Sequence, residues 1–161
     1  MIYQVNHQLL LSGSEMINVI EFISENALFH SEMTYNLERK SFDLDPYEST
    51  DPGIYFILDN QDILKIGKAD GKQGLKGRIA NYRSRLVKNF EKGDSTVLLW
   101  NTVMTGSLNE TVLSIYLLPL EPRTTTHLGI EVKIMIARSL ESKLSKLASK
   151  QGHSMKLSGQ N

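Results

Sequence analysis

Apolar residues recur at helical steps through Met16, Ile20, Ile23 and Ala27, and Ser12 and Glu15 stand at capping-box spacing before them. This pattern predicts a helix over 12–29. A polar, acidic stretch over 36–52 follows, punctuated by Pro46 and Pro52, and reads as a connecting segment. Gly53 to Leu58 has the β-branched and aromatic content of a strand. Asp59-Asn60-Gln61-Asp62 is a turn cluster, and Ile63 to Ala69 is a second strand, so the two form a hairpin. Leu75 to Phe90 reads as a helix, with Leu75, Ile79, Tyr82, Leu86 and Phe90 on one face. Val97 to Val103 and Thr111 to Leu118 are apolar runs around Thr105-Gly106-Ser107-Leu108-Asn109, which predicts another hairpin containing Trp100 as a core residue. A long helix is predicted over 127–150, with Ile130, Ile134, Ala137, Leu140, Leu144 and Leu147 as its buried stripe and Gly152 as its stop. The last eight residues are polar and are expected to fray.

The order is helix, two strands, helix, two strands, helix. It implies an α+β fold, a small, mainly antiparallel β-sheet flanked by helices. The boundaries divide the chain into a helical extension over 1–50, a core over 51–152 and a tail over 153–161. A length of 161 residues suits a single core.

Composition removes several kinds of chemistry. The chain has no cysteine, so disulfides, thiolate zinc sites and a Cys nucleophile are excluded. The N-terminus has no basic start before an apolar run, which predicts no signal peptide, and no stretch is apolar enough to span a membrane. A cytoplasmic protein is the expectation. There is no Gly-x-x-x-x-Gly-Lys-Ser/Thr loop, no zincin spacing and no Gly-x-Ser-x-Gly elbow.

The formal net charge is zero, but the charge is unevenly spread. Residues 65–92 carry nine Lys and Arg against two acids, and residues 1–62 carry two against eleven. Such a chain can present one basic face to a polyanion.

The hairpin and the next helix resemble the GIY-YIG nuclease family. The first motif element is Gly53-Ile54-Tyr55, after Asp51-Pro52; the second is Lys65-Ile66-Gly67, with lysine where the family usually has tyrosine. Lys68-Ala69 follows, then Arg78 and Tyr82 at the i, i+4 spacing of the family's helix pair. The similarity is dense over 52–86. Lysine at position 65 is similar to a subgroup of small Type II restriction endonucleases, where a lysine at that place assists the first tyrosine. The resemblance implies cleavage of DNA, expected to be double-stranded, with Mg²⁺ or Mn²⁺ as cofactor. It also implies a catalytic glutamate on a later helix. Glu131 is the best placed, with Glu110 and Glu121 as rivals. A palindrome-cutting enzyme of this kind is expected to act as a homodimer.

The residue chemistry is consistent with that expectation. Phosphodiester hydrolysis needs an activated water and charge neutralisation on the phosphate. Tyr55 offers a phenol, pKa about 10 when unperturbed, which cations at Lys65 and Lys68 would lower towards use as a general base. Arg78 has forked donors for a phosphate oxygen. Tyr82 would orient water or phosphate, and Glu131 would hold the metal. Lys72, Lys76, Arg83 and Arg85 would add DNA phosphate contacts. If Leu58 pairs with Ile63, Tyr55 lies opposite Ile66 and Lys68 is its same-face neighbour. A slip or a bulge would put Lys65 opposite Tyr55 instead. His127 and His153 read as surface residues. Two other readings stand beside the nuclease: a nucleic-acid-binding module without turnover, and a protein-interaction domain.

Overall fold

In the computed structural model, residues 17–134 and 136–159 are described. Helix α1 spans Val19–Asn26. Its N-cap is Asn18, whose side chain accepts from the Glu21 backbone N–H; the predicted Ser12–Glu15 capping box lies outside the described residues. Strands β1 (Leu28–Asn36) and β2 (Ser41–Asp43) follow, then β3 (Gly53–Asp59) and β4 (Asp62–Ala69). Helices α2 (Gly74–Ser84), α3 (Val87–Glu91) and α4 (Ser95–Thr105) lead to β5 (Leu113–Pro119). A hairpin of β6 (Arg123–His127) and β7 (Ile130–Ile134) precedes the last helix, α5 (Ile136–Lys150).

Five strands form one antiparallel sheet in the order β2-β1-β5-β3-β4. The α+β architecture is therefore as expected. Each face of the sheet buries its own core. Tyr55, Ile57 and Leu64 face Leu75, Ile79, Tyr82 and Trp100, on the side of α2 and α4. Ile54, Phe56 and Ile66 face Phe22, Ile23, Leu140 and Leu144, on the side of α1 and α5. Burial on both faces explains why β3 reads as a continuous apolar run rather than an alternation.

Four expectations are corrected. Residues 28–36, expected to be helical or connecting, are a strand paired with β5 at the centre of the sheet. The run Val97 to Val103 lies in a helix. Asp94 caps it by accepting from the backbone N–H groups of Thr96 and Val97, and Val97, Trp100 and Met104 are buried at helical spacing. The predicted helix over 75–90 ends at Ser84, where Arg85 turns extended and its guanidinium binds the Asp94 carboxylate at 2.9 Å. The predicted helix over 127–150 begins only at Ile136. Before it, Leu128 (φ 51°) and Gly129 (φ 78°) make the two-residue left-handed turn of a β-hairpin.

The tail is also ordered through Gly159. Met155 and Leu157 donate backbone N–H groups to Ile63 and Leu64 of β4, at 3.0 and 2.9 Å. Leu157 is fully buried. The segment thereby covers part of the free edge of the outermost strand.

Candidate active site

The β3–β4 register determines what surrounds Tyr55. Leu58 pairs with Ile63, but a bulge makes the next pair Ile57 with Lys65, which leaves Leu64 as the extra residue. Tyr55 consequently stands opposite Gly67, not Ile66 or Lys65. Lys65 shares the Tyr55 face two pairs further along, opposite Ile57, and Lys68 is opposite Ile54 on the other face. A side chain at Gly67 would run into the Tyr55 ring, so the glycine makes room for the phenol.

Gly74 opens α2 at φ 52°, where a Cβ would meet the backbone carbonyls of Thr50 and Asp51. The Leu75 and Lys76 N–H groups donate to Asp51 and Ser49, which ties the start of α2 to the loop before β3. This fixes α2 against the hairpin and brings Arg78 beside it.

A cleft of about 670 Å³ lies at the β4 side of the sheet. Tyr55, Lys65, Gly67, Lys68, Arg78 and Glu141 line it, with Ser142, Ser145, Lys146, Ser149 and Lys150 of α5 forming one wall. The position of β4 at the sheet edge accounts for the convergence: α2 and α5 lie on opposite faces and contribute side chains to the same cleft.

Tyr55 is 2 % exposed, its ring is part of the core, and its hydroxyl lies 3.2 Å from that of Tyr82. Burial raises its pKa above the ordinary tyrosine value. The Tyr82 hydrogen bond and Arg78 pull it down, and Glu141 pushes it up. The expectation that cations would lower this phenol is therefore reversed, because desolvation outweighs them. Lys65 responds to the same burial in the opposite sense. Its pKa falls to about 8, with Arg78 lowering it further and Glu141 opposing. Its ammonium donates to the Leu157 carbonyl at 3.4 Å. Lys68 pairs with Asp70 at 3.0 Å, which holds the Asp70 carboxyl below its usual range.

Tyr82 does not line the cleft. It is buried behind Tyr55, stacked on Trp100 at 4.7 Å and edge-on to Phe42 at 5.8 Å. The expectation that it meets water or phosphate is corrected: what it touches is Tyr55.

Glu131 does not lie on a helix either. It sits exposed on β7 opposite Thr126 and takes no part in the cleft. Glu110 and Glu121 are exposed as well, and neither lines the cleft. Among the described residues, the acid lining the cleft is Glu141, the sole carboxylate within α5. Burial raises its pKa, and Lys68 and Lys65 oppose that rise. The helical pattern read from residue 127 starts nine residues before the helix itself, which makes Glu131 look like a first-turn acid and leaves Glu141 unmarked. The available signal was an acid flanking the buried Leu140–Leu144 stripe.

The predicted phosphate contacts fall elsewhere. Lys76 pairs with Glu48 at 3.2 Å, Arg85 with Asp94 at 2.9 Å, Lys72 is exposed, and Arg83 lines a different concavity beside Arg39. The cleft draws its further cations, Lys146 and Lys150, from α5. His153 is structural: its Nδ1 accepts from the Ile63 N–H at 3.2 Å.

Among the described residues, no three His, Cys, Asp or Glu side chains converge to form a metal cage. One carboxylate beside several hydroxyls fits a hard dication that keeps water and takes phosphate oxygens to complete its shell. Glu141 is the residue that would hold it. No helix among the described residues is long and apolar enough to cross a membrane.

No family model and no curated protein matches the chain. A solved structure, restriction endonuclease HPY188I in complex with product DNA, is similar to it with a TM-score of 0.50 at 14 % identity. The match covers 94 % of this chain and 88 % of that one. At this identity the likeness is one of fold, and it extends over nearly the whole chain: the α+β architecture is similar to that of a restriction endonuclease.

Proposed function

We propose that the chain is a metal-assisted nuclease hydrolysing phosphodiester bonds of double-stranded DNA, with a GIY-YIG-like site. One observation carries this reading: a phenol, an amine of lowered pKa, a guanidinium and a carboxylate meet on one cleft, as Tyr55, Lys65, Arg78 and Glu141. The DNA bound by the neighbour of similar fold supports the choice of substrate.

In the proposed reaction, Arg78 clamps a non-bridging phosphate oxygen through its forked donors. A water oxygen attacks phosphorus, and its proton passes to the Tyr55 oxygen while Tyr55 gives its own to the neutral Lys65 amine. The bond from phosphorus to the leaving oxygen breaks, and that oxygen takes a proton from solvent. This order suits a phenol held neutral by burial that shares its cleft with an amine losing its proton near pH 8. Glu141 would hold Mg²⁺ or Mn²⁺, which when bound would supply charge neutralisation on the phosphate. Tyr82 positions Tyr55 from behind.

The buried, neutral phenol also favours a second reading, a module that binds nucleic acid without turnover. Plasmid nicking in Mg²⁺ separates the two. The nuclease reading expects cutting by wild type and a loss of a hundredfold or more in Tyr55→Phe and Arg78→Ala. Tight binding with no cutting by wild type at high protein concentration would establish the second.

A further inference from the structure

The cleft continues past the four reacting groups along α5. Glu141, Ser145 and Ser149 stand four residues apart on its inner line, and Ser142, Lys146 and Lys150 form a parallel outer line. From Glu141 to Ser149 these lines extend about 12 Å. The inner line carries small hydroxyl side chains that leave the wall shallow, and the outer line carries cations. Neither Lys146 nor Lys150 has an ion-pair partner among the described residues, whereas Lys76, Arg85 and Lys68 are each paired with an acid. At the tail side of the cleft, the Ser158 hydroxyl is shut off from water and has no hydrogen-bond partner among the described residues.

We infer that this face of α5 is a track for one DNA strand, in which Lys146 and Lys150 bind phosphates flanking the one that is cut. The inference rests on the nuclease reading and deepens it. The spacing supports a strand in preference to a mononucleotide. Lysines one helical turn apart, about 6 Å, address separate phosphates of a chain, and hydroxyls beside them donate to the same oxygens. A single phosphate would need only the Arg78 end. Of the charges on and just after α2, Arg78 alone lines the cleft, while Lys76 and Arg85 pair with acids and Arg83 turns to another surface.

The test is a salt titration of binding to a labelled duplex in EDTA, by fluorescence anisotropy, with the full chain. K146Q/K150Q is compared with K143Q, an exposed lysine of the same helix that does not line the cleft. K146Q/K150Q is expected to reduce the slope of log K against log salt by about two, K143Q by less than half a unit. A wild-type slope in K146Q/K150Q, with cutting still abolished by Tyr55→Phe, overturns the track and leaves the nuclease reading standing. Wild type with no salt-dependent affinity for DNA overturns both.

Discussion

The hydroxyls of Tyr55 and Tyr82 lie 3.2 Å apart and buried, with Tyr82 stacked on Trp100. This contact works against the burial that keeps the Tyr55 phenol protonated. Tyr82→Phe preserves the stack and deletes the hydrogen bond. It should raise the Tyr55 pKa further and reduce kcat more than it raises KM, with the alkaline rise of activity still set by Lys65. The stability cost should be about 1 kcal/mol. Steady-state kinetics with a denaturation curve checks both, and an unchanged kcat would leave Tyr82 as packing alone.

Lys65 carries a conflict between function and stability. Its folded pKa of about 8 lies below the ordinary lysine value, so the unfolded chain binds more protons between pH 8 and about 10.4. Stability therefore rises with pH through that window, and the contribution is lost as pH falls through 8. Lys65→Met removes the buried charge. It should stabilise the protein at pH 7 by on the order of 1–3 kcal/mol while abolishing turnover. Urea midpoints at pH 7 and 10, with the gain confined to the lower pH, would verify the sign.

Gly67→Ala should be costly out of proportion to one methyl, because the space is occupied by the Tyr55 ring. We expect a loss of about 1–3 kcal/mol and a displaced phenol. Near-ultraviolet circular dichroism reports the tyrosine environment, and a wild-type spectrum with wild-type turnover would contradict the close approach.

Leu157 anchors the tail beside Lys65, which donates to the Leu157 carbonyl. Leu157→Ala should cost about 2–4 kcal/mol as a buried deletion. It should also bring the Lys65 pKa back towards the ordinary lysine value, read as an upward shift of the pH–rate midpoint. A loss of stability without that shift would separate the tail from the site.

The β3–β4 hairpin, Arg78 on its helix and the α+β class were legible because they rest on local signals: strand content, a turn cluster and helical spacing. Three things depended on more than local pattern. The bulge at Leu64, which lies in the same core as Ile57, sets the register in which Tyr55 meets Gly67. Val97 to Val103 has strand-like composition, but Asp94 caps it into a helix. The arm turning at Leu128–Gly129 exposes Ile130 and Ile134, at 66 % and 43 %, which helical periodicity would have buried, so the pattern over 127–150 merged a hairpin with a helix. That merger moved the expected acid from Glu141 to Glu131.

The choice of acid tests the whole arrangement most directly. Plasmid cleavage is measured in Mg²⁺ for Glu141→Ala and Glu131→Ala, with thermal melts to confirm folding. A carboxylate shared between the cleft and a metal predicts a loss of a hundredfold or more for Glu141→Ala and wild-type rates for Glu131→Ala. Full activity in Glu141→Ala would contradict it.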